Sequence, residues 1–140
     1  MFVKRILLVS FRIEFFVDCS ANATPEFEGR GGQALADSLS STLGRAYNTL
    51  DTRCLCLLKG SQCWVLYVDI LILECGGNLS DAVSMAVKAA LYTTLVPKVT
   101  VTAVDGGEPE LELSDDPTDG QRLDVMDTAP VLITLNRSGN

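Results

Sequence analysis

The run "CWVLYVDILILE", residues 63–74, limits what this chain can fold into more than any other stretch. Both of its alternating sets are apolar: Trp64, Leu66, Val68, Ile70 and Ile72 form one, and Val65, Tyr67, Leu71 and Leu73 the other. A strand that keeps one face in water alternates polar with apolar residues. A strand apolar on both sets belongs in the middle of a sheet covered on both sides. Asp69 is the single charge between Trp64 and Leu73.

The flanking sequence supplies that sheet's partners. "RIEFFVD", residues 12–18, alternates and reads as a strand. The chain start also reads as β-structure rather than a leader, because Arg12 and Glu14 interrupt the short apolar stretch behind Lys4 and Arg5 and no small-residue cleavage site follows. Residues 19–32 read as loop. From 33 to 50, Leu35, Leu39, Leu43, Ala46 and Tyr47 fall on one helical stripe, and Gly44 inside it marks close packing. "TRCLCLL" reads as a short strand and "KGSQ" as a turn. "CGGN" then turns into a second helix over 79–95, with Ser80 as its N-cap and Asp81 in its first turn. Ala82, Val83, Ala86, Ala89 and Ala90 give that helix a small-residue face that would sit close on the sheet, and Pro97 ends it. "KVTVTAV", "LELS" and "PVLITL" read as strands, separated by the turns "DGGEPE" and "DDPTDGQ". The expected order is β-α-β-β-α-β-β-β, an α+β sandwich without repeats. One strand before a long helix, and an apolar strand followed only by "NRSGN", make both ends read as cuts through a larger domain.

A chain of 140 residues with 47% hydrophobic content is long enough for one domain with a core. No apolar run reaches the length that spans a bilayer. Five cysteines, an odd set placed largely in apolar segments, argue for reduced thiols in an intracellular protein. The net charge of −7, from 11 basic and 18 acidic residues, leaves no surplus for phosphate binding, so contact with nucleic acid needs a local basic patch or basic neighbours.

The candidate chemistry is sparse. No histidine is present, which removes histidine triads and histidine metal sites. Cys54, Cys56 and Cys63 are either a zinc cluster or buried thiols, and a spacing that sets Cys54 and Cys56 on one strand face among leucines favours thiols. Asp115, Asp116 and Asp119 lack the spacing of an EF-hand loop and read as a solvated turn with Asx-type hydrogen bonds. Asp69 is either a hydrogen-bonded core carboxylate or a catalytic acid, and without a partner base the first reading is preferred. "GRGG", residues 29–32, fits neither nucleotide-loop spacing, yet it stands just ahead of a helix start, where free N–H groups and the positive dipole end favour an anion. Arg30 is then either a phosphate contact or part of a surface turn.

Three stretches carry a resemblance: "FFVDCSANATPEFEGRGG", "CWVLYVDILILECGGNLSDAVSMAVKAAL" and "ELSDDP". They resemble the RNase PH-like, non-catalytic ring subunits of the eukaryotic RNA exosome, from about Ile13 to Leu135. The resemblance implies an α+β fold of the ribosomal protein domain 2-like superfold, built from two βαβ-type halves. Residues 13–140 would form a partial RNase PH-like domain, the first half of the family fold, incomplete at both ends, and residues 1–12 a divergent N-terminal segment. A truncated or alternatively spliced product is the expectation.

By the same resemblance the chain is a structural subunit of a ring through which single-stranded RNA threads toward a nuclease. It would support 3′-to-5′ RNA processing and degradation, including rRNA maturation and mRNA turnover, in the nucleus, nucleolus and cytoplasm. Other RNase PH-like ring subunits and cap subunits are the implied partners, with no membrane, metal or cofactor. Catalysis is not expected, because active relatives use an aspartate and a second-half phosphate loop that have no counterpart in this sequence. Arg30 and Arg45 match positions where the family presents basic residues at or after the first helix, and are the candidate RNA-path contacts. The alternatives are a phosphorolytic 3′-to-5′ exoribonuclease, or an unstable fragment without function.

Overall fold

The computed structural model describes residues 2–6, 12–58, 62–102 and 109–138. In chain order its elements are β1 (Phe2–Ile6), β2 (Arg12–Cys19), α1 (Gln33–Tyr47), β3 (Cys56–Leu58), β4 (Gln62–Ile72) and α2 (Leu79–Tyr92). The strands β5 (Leu95–Val96), β6 (Val99–Thr102), β7 (Glu110–Leu113) and β8 (Gln121–Arg122) follow, with short 3₁₀ turns between elements.

The doubly apolar run forms β4, and β4 is central as expected. β1 runs antiparallel along it, with Phe2 opposite Tyr67 and Ile6 opposite Cys63. β2 runs parallel, from Arg12 opposite Val65 to Cys19 opposite Ile72. β3 pairs antiparallel with Cys56 opposite Cys63. Cys63 already faces β1 on one edge, so β3 occupies the same edge as β2. Two strands, not one, therefore precede α1 in the sheet.

Coverage on both sides holds only in part. Trp64, Leu66, Val68 and Ile72 point inward and are buried with Phe15, Leu39, Leu43, Val87 and Leu91 in one core. On the outer face Cys63 and Val65 are buried, but Asp69 and Leu71 are exposed. Phe16 stacks there on Tyr67 with ring centroids 6.0 Å apart. The outer face thus opens toward the C-terminal end of β4. Asp69 opens with it, and is a surface residue rather than a core carboxylate.

α1 packs its expected stripe. Ala36, Leu39, Leu43 and Tyr47 are buried, Tyr47 lies against Phe15 with ring centroids 5.0 Å apart, and Ser40 Oγ donates to the Phe15 carbonyl at 2.5 Å. Gly44 does not mark close packing, since a Cβ built there meets nothing within 4 Å.

α2 differs from its sequence reading in three ways. Its N-cap is Asn78, not Ser80: the Asn78 side chain accepts from the Asp81 N–H at 3.2 Å. Its buried face is Val83, Ser84, Val87 and Leu91, while Ala82, Ala86, Ala89 and Ala90 face outward. Valine and leucine remove more apolar area from water than alanine, so they take the inner side. The helix also stops at Tyr92, because the Thr93 and Thr94 hydroxyls bond back to the Ala89 and Ala90 carbonyls and the chain extends into β5 before Pro97.

β5 pairs with β8, and β6 with β7. "PVLITL" is not a strand. Its backbone is satisfied by helix side chains instead. The Leu132 N–H donates to Ser84 Oγ at 2.8 Å, and the Thr134 N–H and hydroxyl both donate to the Asp81 carboxylate. Lys88 Nζ donates to the Ala129 carbonyl at 2.7 Å. The Tyr47 hydroxyl reaches the Pro130 carbonyl at 3.3 Å. The turn readings "KGSQ" and "DGGEPE" fall mostly on residues outside the described ones.

Candidate functional site

The loop ahead of α1 is built by local rules. Thr24 caps the 3₁₀ turn Pro25–Phe27 by accepting from the Glu26 N–H, and buried Phe27 anchors that turn in the core. Gly29 then takes φ +67°, the left-handed region that glycine adopts without a Cβ penalty. Gly31 passes so close to the Glu26 carbonyl that a Cβ would lie 1.7 Å from its oxygen, and a Cβ on Gly32 would lie 2.6 Å from Cys19 Cβ. Each glycine of "GRGG" has a steric reason. Arg30, held between them, is exposed.

Arg30 borders a depression of about 60 Å³, also lined by Asp18, Cys19, Phe27 and Gln33. Gly32 offers α1 no side-chain cap, and the first turn of the helix contains no acidic residue. The start of α2 is different, with Asn78 capping and Asp81 in the first turn. The positive end of the α1 dipole is thus left without a side-chain anion of its own. The surroundings are electrically mixed, because Asp18 lines the same depression and Glu26 and Glu28 lie in the loop. Burial, then the charge of Asp18 and the nearby Cys75, push the Cys19 thiol up.

Arg45 is exposed in the last turn of α1. With ~1.5 Å of rise per residue, roughly 18 Å of helix separates it from Gln33, so Arg30 and Arg45 lie at opposite ends of α1. They are not one site. What they share is availability: among the described residues neither has an ion-pair partner. Arg12 by contrast is held by Glu14 at 2.6 Å, Arg53 by Asp51, and Arg122 by Asp127 at 2.6 Å while lying 4.0 Å from the Tyr92 ring centroid.

The remaining candidates resolve individually. Cys56 lies on β3 directly across from Cys63, whereas Cys54 belongs to the preceding 3₁₀ turn and not to the strand. The acidic stretch forms the expected Asx-type turn: Asp116 accepts from the Thr118 N–H at 2.8 Å and its hydroxyl at 2.7 Å. These bonds hold the Asp116 carboxyl below its ordinary range. The polar row Asp81, Ser84 and Lys88 on α2 went unrecognised in the sequence. Its i, i+3, i+7 spacing along one flank of an otherwise apolar helix was the available signal.

A family model described as "3' exoribonuclease family, domain 1" (RNase_PH) matches residues 9–97. A Dictyostelium discoideum protein named for the exosome complex exonuclease RRP42 is 31% identical, over 94% of this chain and 53% of its own length. The Arabidopsis thaliana exosome complex component RRP45B is 37% identical over 69% of this chain and 23% of its own. The Methanopyrus kandleri exosome complex component Rrp42 is 31% identical over 84% and 42% respectively. This chain therefore spans about half the length of the first of these relatives and less of the others. Among solved structures, a chain of the Archaeoglobus fulgidus exosome with RNA bound to its active site has the same fold. It aligns with TM-score 0.58 and 24% identity, over 79% of this chain and 54% of that one.

Proposed function

The chain belongs to the RNase PH 3′ exoribonuclease family, and on that premise we propose that it is a structural, non-catalytic subunit of an exosome ring. Its role there is to support 3′-to-5′ RNA processing and degradation. The observation that carries this reading is the family match over residues 9–97, joined to relatives named as exosome components. Phe16, Leu71, Leu73 and Met85 are exposed large apolar residues, a surface suited to neighbouring subunits rather than to water. The lack of any histidine supports a role without general-base chemistry of the common kind. Residues 13–140 serve as the first half of the family domain. The nucleus, nucleolus and cytoplasm are the proposed locations, to be checked by imaging a tagged chain.

Arg30 and Arg45 are proposed as separate contacts to the phosphates of RNA, one at each end of α1. Neither has a carboxylate partner among the described residues, and this together with the uncapped start of α1 supports the assignment. Affinity purification of the tagged chain is expected to recover other ring subunits, and recovery of none would overturn the proposal. Within the recovered assembly, Arg30→Glu with Arg45→Glu is expected to lower RNA crosslinking to this subunit and leave assembly intact. Purified chain incubated with oligoadenylate and inorganic phosphate is expected to release no nucleoside diphosphate. Release would favour the phosphorolytic enzyme instead.

A further inference from the structure

We propose that Cys56 and Cys63 form a reversible disulfide across the β3–β4 ladder, with a low-molecular-weight disulfide such as oxidised glutathione as the oxidant. The register places the two residues directly opposite each other on antiparallel strands. Opposed residues in such a pair project to the same face with Cβ atoms ~4.5–5.5 Å apart. A disulfide needs Cβ atoms ~3.5–4.5 Å apart, so closure asks for a small approach of one short strand. β3 is suited to make it, having three residues and an irregular register between Cys56 and Leu58.

The two thiols have unequal access, which orders the chemistry. Cys56 is half-buried and Cys63 is 1% exposed. The Cys56 thiolate attacks one sulfur of oxidised glutathione, forming a mixed disulfide and releasing one glutathione thiol. Cys63 then gives up its proton and attacks the Cys56 sulfur, and the second glutathione leaves. The two electrons lost by the protein thiols reduce the glutathione disulfide to two thiols, and excess reduced glutathione reverses both steps. Cys19 lies at the far end of the sheet, and its raised thiol pKa makes it a slower competitor. The closed bond pins β3 to β4, and reduction frees it.

Trypsin cuts after Arg53, Lys59 and Lys88, so Cys56 and Cys63 fall on the separate peptides 54–59 and 60–88. After equilibration of the full chain with oxidised glutathione and capping of remaining thiols, these peptides are expected to be joined, two hydrogen masses lighter than their sum. Fragmentation of the joined species should locate the bond at Cys56 and Cys63. The same link is expected in a Cys54→Ser, Cys75→Ser chain and is expected to be lost in Cys56→Ser. In urea the equilibrium constant for closure should fall by roughly tenfold or more, because the register that holds the thiols together is gone. Separate peptides, a Cys56–glutathione adduct that never resolves, or a bond mapped to Cys54 or Cys75 would each overturn the proposal. Fragmentation of the unsubstituted chain gives the same answer if the serine variants do not fold.

Discussion

α1 and α2 are nearly equal in length, 15 and 14 residues, but α1 buries an apolar stripe while α2 buries Val83, Ser84, Val87 and Leu91 and turns its alanines outward. α1 is held chiefly by hydrophobic contact with β2 and the inner sheet face, with Ser40 and Tyr47 each donating to a backbone carbonyl. α2 carries a longer polar row that grips one segment of backbone: Asp81 and Ser84 accept from the 132–134 segment, and Lys88 donates to the Ala129 carbonyl. The difference teaches that an exposed alanine row and a polar row, of which Ser84 alone is buried, can share one helix. The buried hydroxyl of Ser84 is satisfied because it takes the place a neighbouring strand would have in pairing with Leu132.

The largest expected effect separates the two helices by packing. Leu43→Ala in α1 removes a side chain that is 1% exposed and should cost about 2–5 kcal/mol in urea unfolding. Ala86→Gln on the outer row of α2 should change stability by no more than about 0.5 kcal/mol. Equal losses from both would mean that the alanine row is buried after all. Next in size is Ser84→Ala, which leaves the Leu132 N–H without its acceptor and should cost about 1–3 kcal/mol. Limited proteolysis should then cut the 130–137 segment sooner, while α1 stays protected. Smaller again, and of opposite sign, is Gly44→Ala. Its Cβ would meet nothing within 4 Å, so the substitution should stabilise α1 by about 1 kcal/mol through helix propensity alone.

These contrasts also mark what the sequence made legible. Periodicity identified β4, β2 and the stripe of α1, because each signal came from large apolar side chains whose burial dominates the free energy. Periodicity failed on α2, where alanine satisfies either face and the two valines and Leu91 decided the orientation. It failed again at "PVLITL", where an apolar alternation was genuine but the backbone partners turned out to be Asp81 and Ser84, far away in sequence. Glycine chemistry read "GRGG" as a turn or an anion site. That Gly31 and Gly32 sit against Glu26 and Cys19 follows from how the loop folds back on itself and on β2, which leaves no periodic pattern in the sequence. Arg30 and Arg45 were nameable from the resemblance, but their separation along α1 follows from the helix itself.

The finest test of the comparison is acid titration of the polar grip. Asp81 has its carboxyl held below the ordinary carboxylate range, chiefly because the Thr134 N–H donates to it and then because the Thr134 hydroxyl does. A folded-state pKa depressed in this way favours the ionised form in the folded protein. Its contribution is therefore complete above the unfolded value of about 3.9 and is lost as pH falls through the lower folded value. Near neutral pH this group gives no pH dependence. Asp116 is also depressed, and Asp51 is pulled down to about 2 by Arg53, so global acid unfolding mixes several carboxylates. A local readout isolates the one that matters. Hydrogen exchange at the Thr134 amide, corrected for its intrinsic acid rate, should quicken as pH drops below the ordinary carboxylate range. In Asp81→Asn, whose side-chain oxygen still accepts but cannot titrate, that acceleration should disappear. If the Thr134 amide exchanges alike in both proteins across the acid range, Asp81 does not hold the segment, and α2 would be left gripping it through Ser84 and Lys88 alone.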